Sequence, residues 1–141
     1  MSTCFYVVKE RPSGNETTFI GEIDGTKATN ISKFLNEISI AFRFPDYFGH
    51  NYNALNECLN DLDWIDVPNY ALFIKNYSLF LIDEDHQTKL DTLKLFQNAC
   101  IEWANVPNFD GEDEFRKRAD FKIYIEKCAE IVNDLKALLP S

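Results

Sequence analysis

The stretch from Pro45 to Leu59 constrains the fold more than any other part of the chain. Proline disfavours helical geometry at the residue before it and lacks an N–H, so a helix arriving from upstream must stop there. The aromatic pair Tyr47-Phe48 and Gly49 then form a loop, and Asn51 is suited to cap a new helix. Leu55, Cys58, Leu59 and Leu62 recur at helical spacing beyond it. Asn53, Asn56, Glu57, Asn60 and Asp61 take the opposite side, because positions three and four apart stack along a helix. One stripe must lie on a core, and the other faces solvent or a partner.

Charge marks the same region. From Phe44 to Ile74 there is no Lys or Arg, yet Asp46, Glu57, Asp61, Asp63 and Asp66 all fall within it. Two readings stay open: a surface built to meet something positive, or a solvated acidic face with no partner. The whole chain carries 14 basic and 23 acidic residues, a formal net charge of −9. That balance argues against direct nucleic-acid binding, which needs a basic stripe to neutralise phosphates. It favours a basic protein as partner, or none.

A length of 141 residues suits one domain with a core that needs no metal or disulfide. No apolar run reaches the length of a membrane span. The segment Met1 to Lys9 has neither a charged leader nor room for an apolar one, so no secretory signal is expected. Cys4, Cys58, Cys100 and Cys128 are widely separated, and only His50 and His86 could join them, so no zinc-ligand spacing appears. Free thiols in a reducing, cytoplasmic setting are expected, with no cofactor.

Residues 4–10 and 17–24 are rich in Val, Phe, Thr and Ile and read as strands. The turn composition of Arg11-Pro12-Ser13-Gly14-Asn15 between them predicts an antiparallel hairpin. Asn30 or Ser32 caps a helix carrying Ile31, Phe34, Leu35, Ile38 and Phe42, which Pro45 stops. The continuous apolar run 70–74 predicts a strand buried on both faces. Asp83-Glu84-Asp85 places acids at the positive end of a helix running through Leu90, Leu93, Leu95, Phe96 and Ile101. Residues 105–119 read as a loop, 121–125 as a last strand and 126–139 as a closing helix. This order predicts a layered α/β domain with a small, mostly parallel sheet.

No enzyme site emerges from the residues. His50 and Cys58 could be named as a pair, but Cys58 sits on the apolar stripe while His50 precedes the cap. Glu57 and Asp61 are one turn apart without loop ligands, too little for a cation site. No glycine-rich phosphate loop is present. The helix face instead suits recognition: Asn and carboxylate side chains offer acceptors for Arg and Lys, and Tyr47, Phe48 and Trp64 bracket it with aromatics; the alternative is that these aromatics pack the core, which is the expectation for Phe48.

The run Phe44-Pro45-Asp46-Tyr47-Phe48-Gly49, then Asn51, Ala54-Leu55 and Cys58-Leu59, resembles the signature of the barstar family. The resemblance extends over roughly residues 19–126, with the 4–10 strand, the 105–119 insertion and the C-terminal helix as additions. It implies a three-stranded parallel sheet flanked by helices, here with an extra N-terminal antiparallel strand and a C-terminal helix. It also implies a small cytoplasmic inhibitor, or immunity protein, that is not an enzyme. Its acidic helix and preceding loop would plug the cationic active site of a ribonuclease or nuclease toxin, a carboxylate standing where the substrate phosphate lies.

Carried over residue by residue, Glu57 takes the place of the family's central phosphate-mimicking Asp. Tyr47, Gly49, Asn51 and Cys58 are kept, and Phe48 replaces a Tyr. Asn53 replaces a second helix Asp, Asn56 an exposed Trp, and Asn98 an acid on a later helix. The expected partner-binding set is therefore Tyr47, Phe48, His50, Asn51, Asn53, Asn56, Glu57, Asn60, Asp61, Asp63, Trp64 and Asn98, with Asp61, Asp63 and Trp64 compensating for the lost acids. The expected partner is a basic nuclease toxin domain, engaged by a chain that is monomeric when free and contacts no nucleic acid or membrane. The alternative is a protein-binding module of the same fold whose partner is not a ribonuclease.

Overall fold

The computed structural model describes residues 4–105 and 119–138. In chain order these form β1 (Phe5–Val8), β2 (Thr18–Asp24), α1 (Ile31–Ala41), α2 (Tyr52–Leu59), β3 (Asn69–Lys75), α3 (His86–Asn105), β4 (Phe121–Glu126) and α4 (Ala129–Ala137). Single 3₁₀ turns at Gly25–Lys27 and Tyr77–Leu79 follow β2 and β3. Gly25 has no alternative: a Cβ there would stand 2.1 Å from the Asn76 carbonyl oxygen.

The strands make one sheet in the order β1-β4-β3-β2, and every neighbouring pair is parallel. This corrects the expected fold of three parallel strands plus an antiparallel N-terminal one. β1 pairs with β4, Phe5 opposite Ile123, so β1 and β2 occupy opposite edges of the sheet and form no hairpin. The turn chemistry is real but local. The Asn15 side chain accepts from the Thr17 N–H at 2.8 Å and from its hydroxyl at 2.7 Å, which launches β2 rather than folding it onto β1.

Residues 9–17 therefore cross the sheet. Arg11 Nε lies 3.0 Å from Glu22 Oε1, and a Cβ on Gly14 would lie 3.7 Å from Ile20 Cδ1. Ile20 and Glu22 alternate with Phe19 and Gly21, which face Phe42 on the helical side, so the strap runs over the other face. Handedness explains the choice. The helical connections β2 to β3 and β3 to β4 step one way across the sheet, and β1 to β2 steps back, so a right-handed path must use the opposite face.

On the helical face, Phe5, Ile23, Tyr70, Leu72, Ile74, Phe121, Ile123 and Ile125 meet Phe34, Leu35, Ile38 and Phe42 around α1 and Leu55 and Leu59 of α2. Leu93, Phe96 and Trp103 of α3 complete the same core. Ala71 and Phe73 are buried on the far side, so β3 is covered on both faces as its unbroken apolar run requires. α1 starts where expected, with Asn30 Oδ1 accepting from the Lys33 N–H at 2.8 Å, and Glu84 reaches across to accept from the Ile31 N–H. Asp85 Oδ1 accepts from the Thr88 N–H at the head of α3. α4 contributes Ile131 to the core and is held by buried Asp134, which accepts from the Tyr77 hydroxyl at 2.6 Å and lies 3.1 Å from His86 Nε2. The loop expected at 105–119 lies, from 106 to 118, outside the described residues.

Candidate functional site

The site is built around α2. Asn51 caps it by accepting from the Ala54 N–H at 2.8 Å, satisfying an amide that has no partner inside the helix. The same carboxamide donates back to the Gly49 carbonyl at 3.2 Å. A Cβ on Gly49 would approach Asn51 Nδ2 to 3.2 Å, so the glycine keeps room for the cap. His50, at φ 50°, turns the chain into the helix with its ring against Phe48, centroids 4.7 Å apart.

At the other end the C-terminal carbonyls find partners. The Asn56 carbonyl accepts from the Asn60 amide N–H and from its side chain at 2.8 Å, and that side chain also reaches Asn56 Oδ1 at 3.2 Å. The Leu59 carbonyl accepts from the Trp103 indole N–H at 2.8 Å. Near the start of α2 the Tyr52 hydroxyl meets Thr92 Oγ1. Thr92 spends its own proton on the Thr88 carbonyl, so Tyr52 is the donor. Two buried or half-buried hydrogen bonds thus pin α2 to α3, one at each end.

Leu55, Cys58, Leu59 and Leu62 are all buried, as the stripe predicts. Asn53, Asn56, Glu57 and Asp61 are exposed on the other side, and Asn60 is half-buried. An open groove of about 520 Å³ is lined by Asn56 and Glu57 of α2, Asn60 at its C-cap, and Asn98, Ile101 and Glu102 on α3. A smaller depression of about 130 Å³ lies on the other flank, lined by Tyr47, Phe48, Ala54, Glu57, Cys58 and Asp61. Glu57 borders both, so it stands on the ridge between them.

The aromatics divide. Tyr47 is 74% exposed, whereas Phe48 is 6% exposed and packs edge-on against Phe44 at 4.9 Å. Trp64 is half-buried and donates its indole N–H to the Phe42 carbonyl at 2.8 Å. His50, Asn51, Asn53, Asp63 and Trp64 line neither depression. The sequence reading takes Ile101 only as an apolar position of its helix and does not name Glu102, whereas both line the groove. A reading of Asn98 followed to i+3 and i+4 on the same helix face finds them.

The acids reach inward as well. Burial raises the Cys58 thiol above its ordinary pKa, and the charges of Asp61 and Glu57 raise it further. Burial likewise lifts the Tyr70 phenol, with Asp63, Asp66 and Asp61 adding to it. Both shifts register a negative field from the helix and the loop after it. Among the described residues no group of three or more His, Cys, Asp or Glu side chains could hold a metal ion, and no helix is long and apolar enough to cross a membrane.

Comparison with known proteins places the chain in a family. The model of the family described as "Barstar (barnase inhibitor)" matches residues 18–133, most of the chain. A Bacillus subtilis (strain 168) protein named "Putative ribonuclease inhibitor YrdF" is 38% identical over 55 residues, which cover 39% of this chain. The match spans 57% of that relative's length.

Proposed function

The chain belongs to the barstar family, and from that premise we propose that it inhibits a cognate ribonuclease or nuclease toxin from within the cytoplasm. In this reading α2 and the loop Pro45–Asn51 enter a cationic active site, and Glu57 occupies the place of a substrate phosphate. The position of Glu57 carries the proposal: it stands on a ridge between two depressions, within a stretch free of Lys and Arg. Inhibition needs no chemistry from the inhibitor. Charge complementarity speeds encounter, and desolvation of the carboxylate against Arg or Lys slows release.

Asn53, Asn56 and Asn98, where the family's helix acids and Trp would stand, favour a partner other than the family's best-known nuclease. They also keep a second reading in play, a module of the same fold whose partner is not a ribonuclease. New specificity requires both attraction to one partner and mismatch against another.

The test is capture of partners from host lysate and secreted proteins with tagged wild type and Glu57→Lys, followed by an RNA-hydrolysis assay on whatever is bound. A basic nuclease that wild type captures and inhibits, and the variant does not, is the expected result. A partner that binds both equally, or a partner with no nuclease activity, overturns the inhibitor reading. Glu57→Ala is expected to weaken binding by about 2 kcal/mol or more, roughly 30-fold in Kd, while leaving stability within about 0.5 kcal/mol.

A further inference from the structure

We propose that Cys4 and Cys100 form a redox-sensitive latch: a hydroperoxide oxidises Cys4, Cys100 resolves it to a disulfide, and the bond fastens the edge strand β1 to α3. The latch uses no residue of α2 and does not depend on which partner that helix meets.

The two thiols come from distant parts of the sequence and meet near the head of β4. Cys4 immediately precedes β1, and its carbonyl accepts from the Ile123 N–H at 2.8 Å. Cys100 lies on α3, one turn before Trp103, whose carbonyl accepts from the Ala119 N–H at 3.3 Å just ahead of β4. Backbone hydrogen bonds around β4 thus fix both neighbourhoods, and the two thiols are hydrogen-bonded to one another. All four cysteines are free thiols.

Environment divides the roles. Cys4 is half-buried, so a small oxidant reaches it, whereas Cys100 is 5% exposed. The hydrogen bond from Cys100 favours the Cys4 thiolate more than burial disfavours it, and the thiolate is the form that attacks. That same bond, with burial, keeps Cys100 a thiol. Cys58 lacks this activation: burial and the charges of Asp61 and Glu57 raise it.

The Cys4 sulfur attacks one oxygen of the hydroperoxide and the O–O bond breaks. The departing oxygen takes a proton from solvent and leaves as water or an alcohol, and Cys4 becomes a sulfenic acid. The Cys100 sulfur then attacks the Cys4 sulfur. The S–S bond forms, the S–O bond breaks, and the leaving hydroxide takes the Cys100 proton to become water. Together the two thiols give up two electrons, which the hydroperoxide accepts.

β1 is the element such a bond would change most. It is four residues long, pairs among the described residues only with β4, and leaves Tyr6 and Val7 each 40% exposed. A short edge strand opens at less cost than the strands inside the sheet. Its departure would bare the outer edge of β4 as a template for pairing with another chain. A bond from residue 4 to residue 100 keeps that edge covered and constrains the unfolded chain over a long loop.

The test treats the reduced full chain with a small excess of hydrogen peroxide near neutral pH and maps disulfides by non-reducing peptide mass spectrometry. A Cys4–Cys100 linkage that dithiothreitol reverses is the expected product. The urea midpoint should rise by about 1 M or more, and amide exchange at Phe5–Val8 should slow by about tenfold or more. In Cys100→Ala, with its fold checked by circular dichroism, Cys4 should stop at the sulfenic acid and be trapped by dimedone. Cys4→Ser should leave Cys58 and Cys100 unoxidised at the same dose, which tests the order of attack even if Cys100→Ala fails to fold. No linkage in wild type, linkage through Cys58 or Cys128, or linkage between two chains overturns the proposal. A Cys4–Cys100 bond that leaves exchange at Phe5–Val8 unchanged overturns the latch.

Discussion

Trp103→Phe tests how α2 is held. Trp103 is 1% exposed, its ring lies 5.2 Å from that of Tyr70, and its indole N–H is the donor to the Leu59 carbonyl in the last turn of α2. Phenylalanine keeps most of the apolar volume and loses the donor. A buried carbonyl deprived of its partner costs about 1–3 kcal/mol. Shrinking an indole to a phenyl ring in a closed core adds roughly 1 kcal/mol or more. The sum is about 2–4 kcal/mol. With a urea m-value of about 1.7 kcal/mol/M for a domain of this size, the unfolding midpoint should fall by roughly 1–2.5 M. Circular dichroism follows the transition without relying on the lost fluorophore. A second effect should accompany the first: with its C-terminal pin gone, α2 should show faster amide exchange at Cys58 and Leu59 than in wild type. A midpoint within about 0.3 M of wild type, with exchange unchanged, would show that this hydrogen bond does not hold the helix.

Other expectations are more compact. Leu59→Ala removes three carbons from a side chain with no exposure, about 2.4 kcal/mol of transfer free energy before any cavity remains, so urea unfolding should show a loss of roughly 2–5 kcal/mol; a neutral result would mean that the apolar stripe of α2 is misphased. The Cys4 thiol is lowered by a hydrogen bond from Cys100, whereas Cys100, as the donor, and buried Cys58 are both raised. Iodoacetamide near pH 8 should therefore alkylate Cys4 before Cys58 or Cys100, with peptide mass spectrometry reading the order; Cys58 or Cys100 modified first would refute this. Burial alone would raise the Asp24 carboxyl, but hydrogen bonds from Asn76 and Thr26, and then Lys75, outweigh it and hold the group below its ordinary value. A depressed folded value means that its contribution is present above about pH 4 and disappears as pH falls through that folded value. Asp24→Asn should cost about 1 kcal/mol near neutrality and progressively less below pH 4, and a gap unchanged between pH 7 and pH 2 would contradict the assignment.

The parts of this architecture that were legible beforehand are those written in neighbouring residues. The stripe through Leu55, Cys58, Leu59 and Leu62 and the caps at Asn30 and Asn51 depend on contacts three or four positions apart, which a pattern displays directly. β1 was legible as a strand but not in its partner, because pairing Phe5 with Ile123 is a long-range outcome that local turn chemistry at Asn15 does not announce. The aromatics show the same division. Tyr47 and Phe48 are adjacent, yet only packing against Phe44 decides that Phe48 turns in, and the Trp64 indole finds the Phe42 carbonyl from a distant segment. Glu102 joins the groove only because α3 lies beside α2 in one particular register. The carry-over from the family reached Asn98 on the same helix and stopped one turn short of Glu102.

The placement of β1 at the outer edge of β4 also bears on the order in which the chain can mature. Phe5 is made well before its partner Ile123, which follows it by 118 residues (123 − 5). At about 5–20 residues per second, β1 waits roughly 6–24 s for an edge to dock on. Over that interval β2, β3 and the helices between them can already assemble, because each of their contacts closes over a shorter stretch of chain. Helix α2 can therefore be in place while the sheet is still one edge short, and β1, made before β2, β3 and β4, is fastened after them.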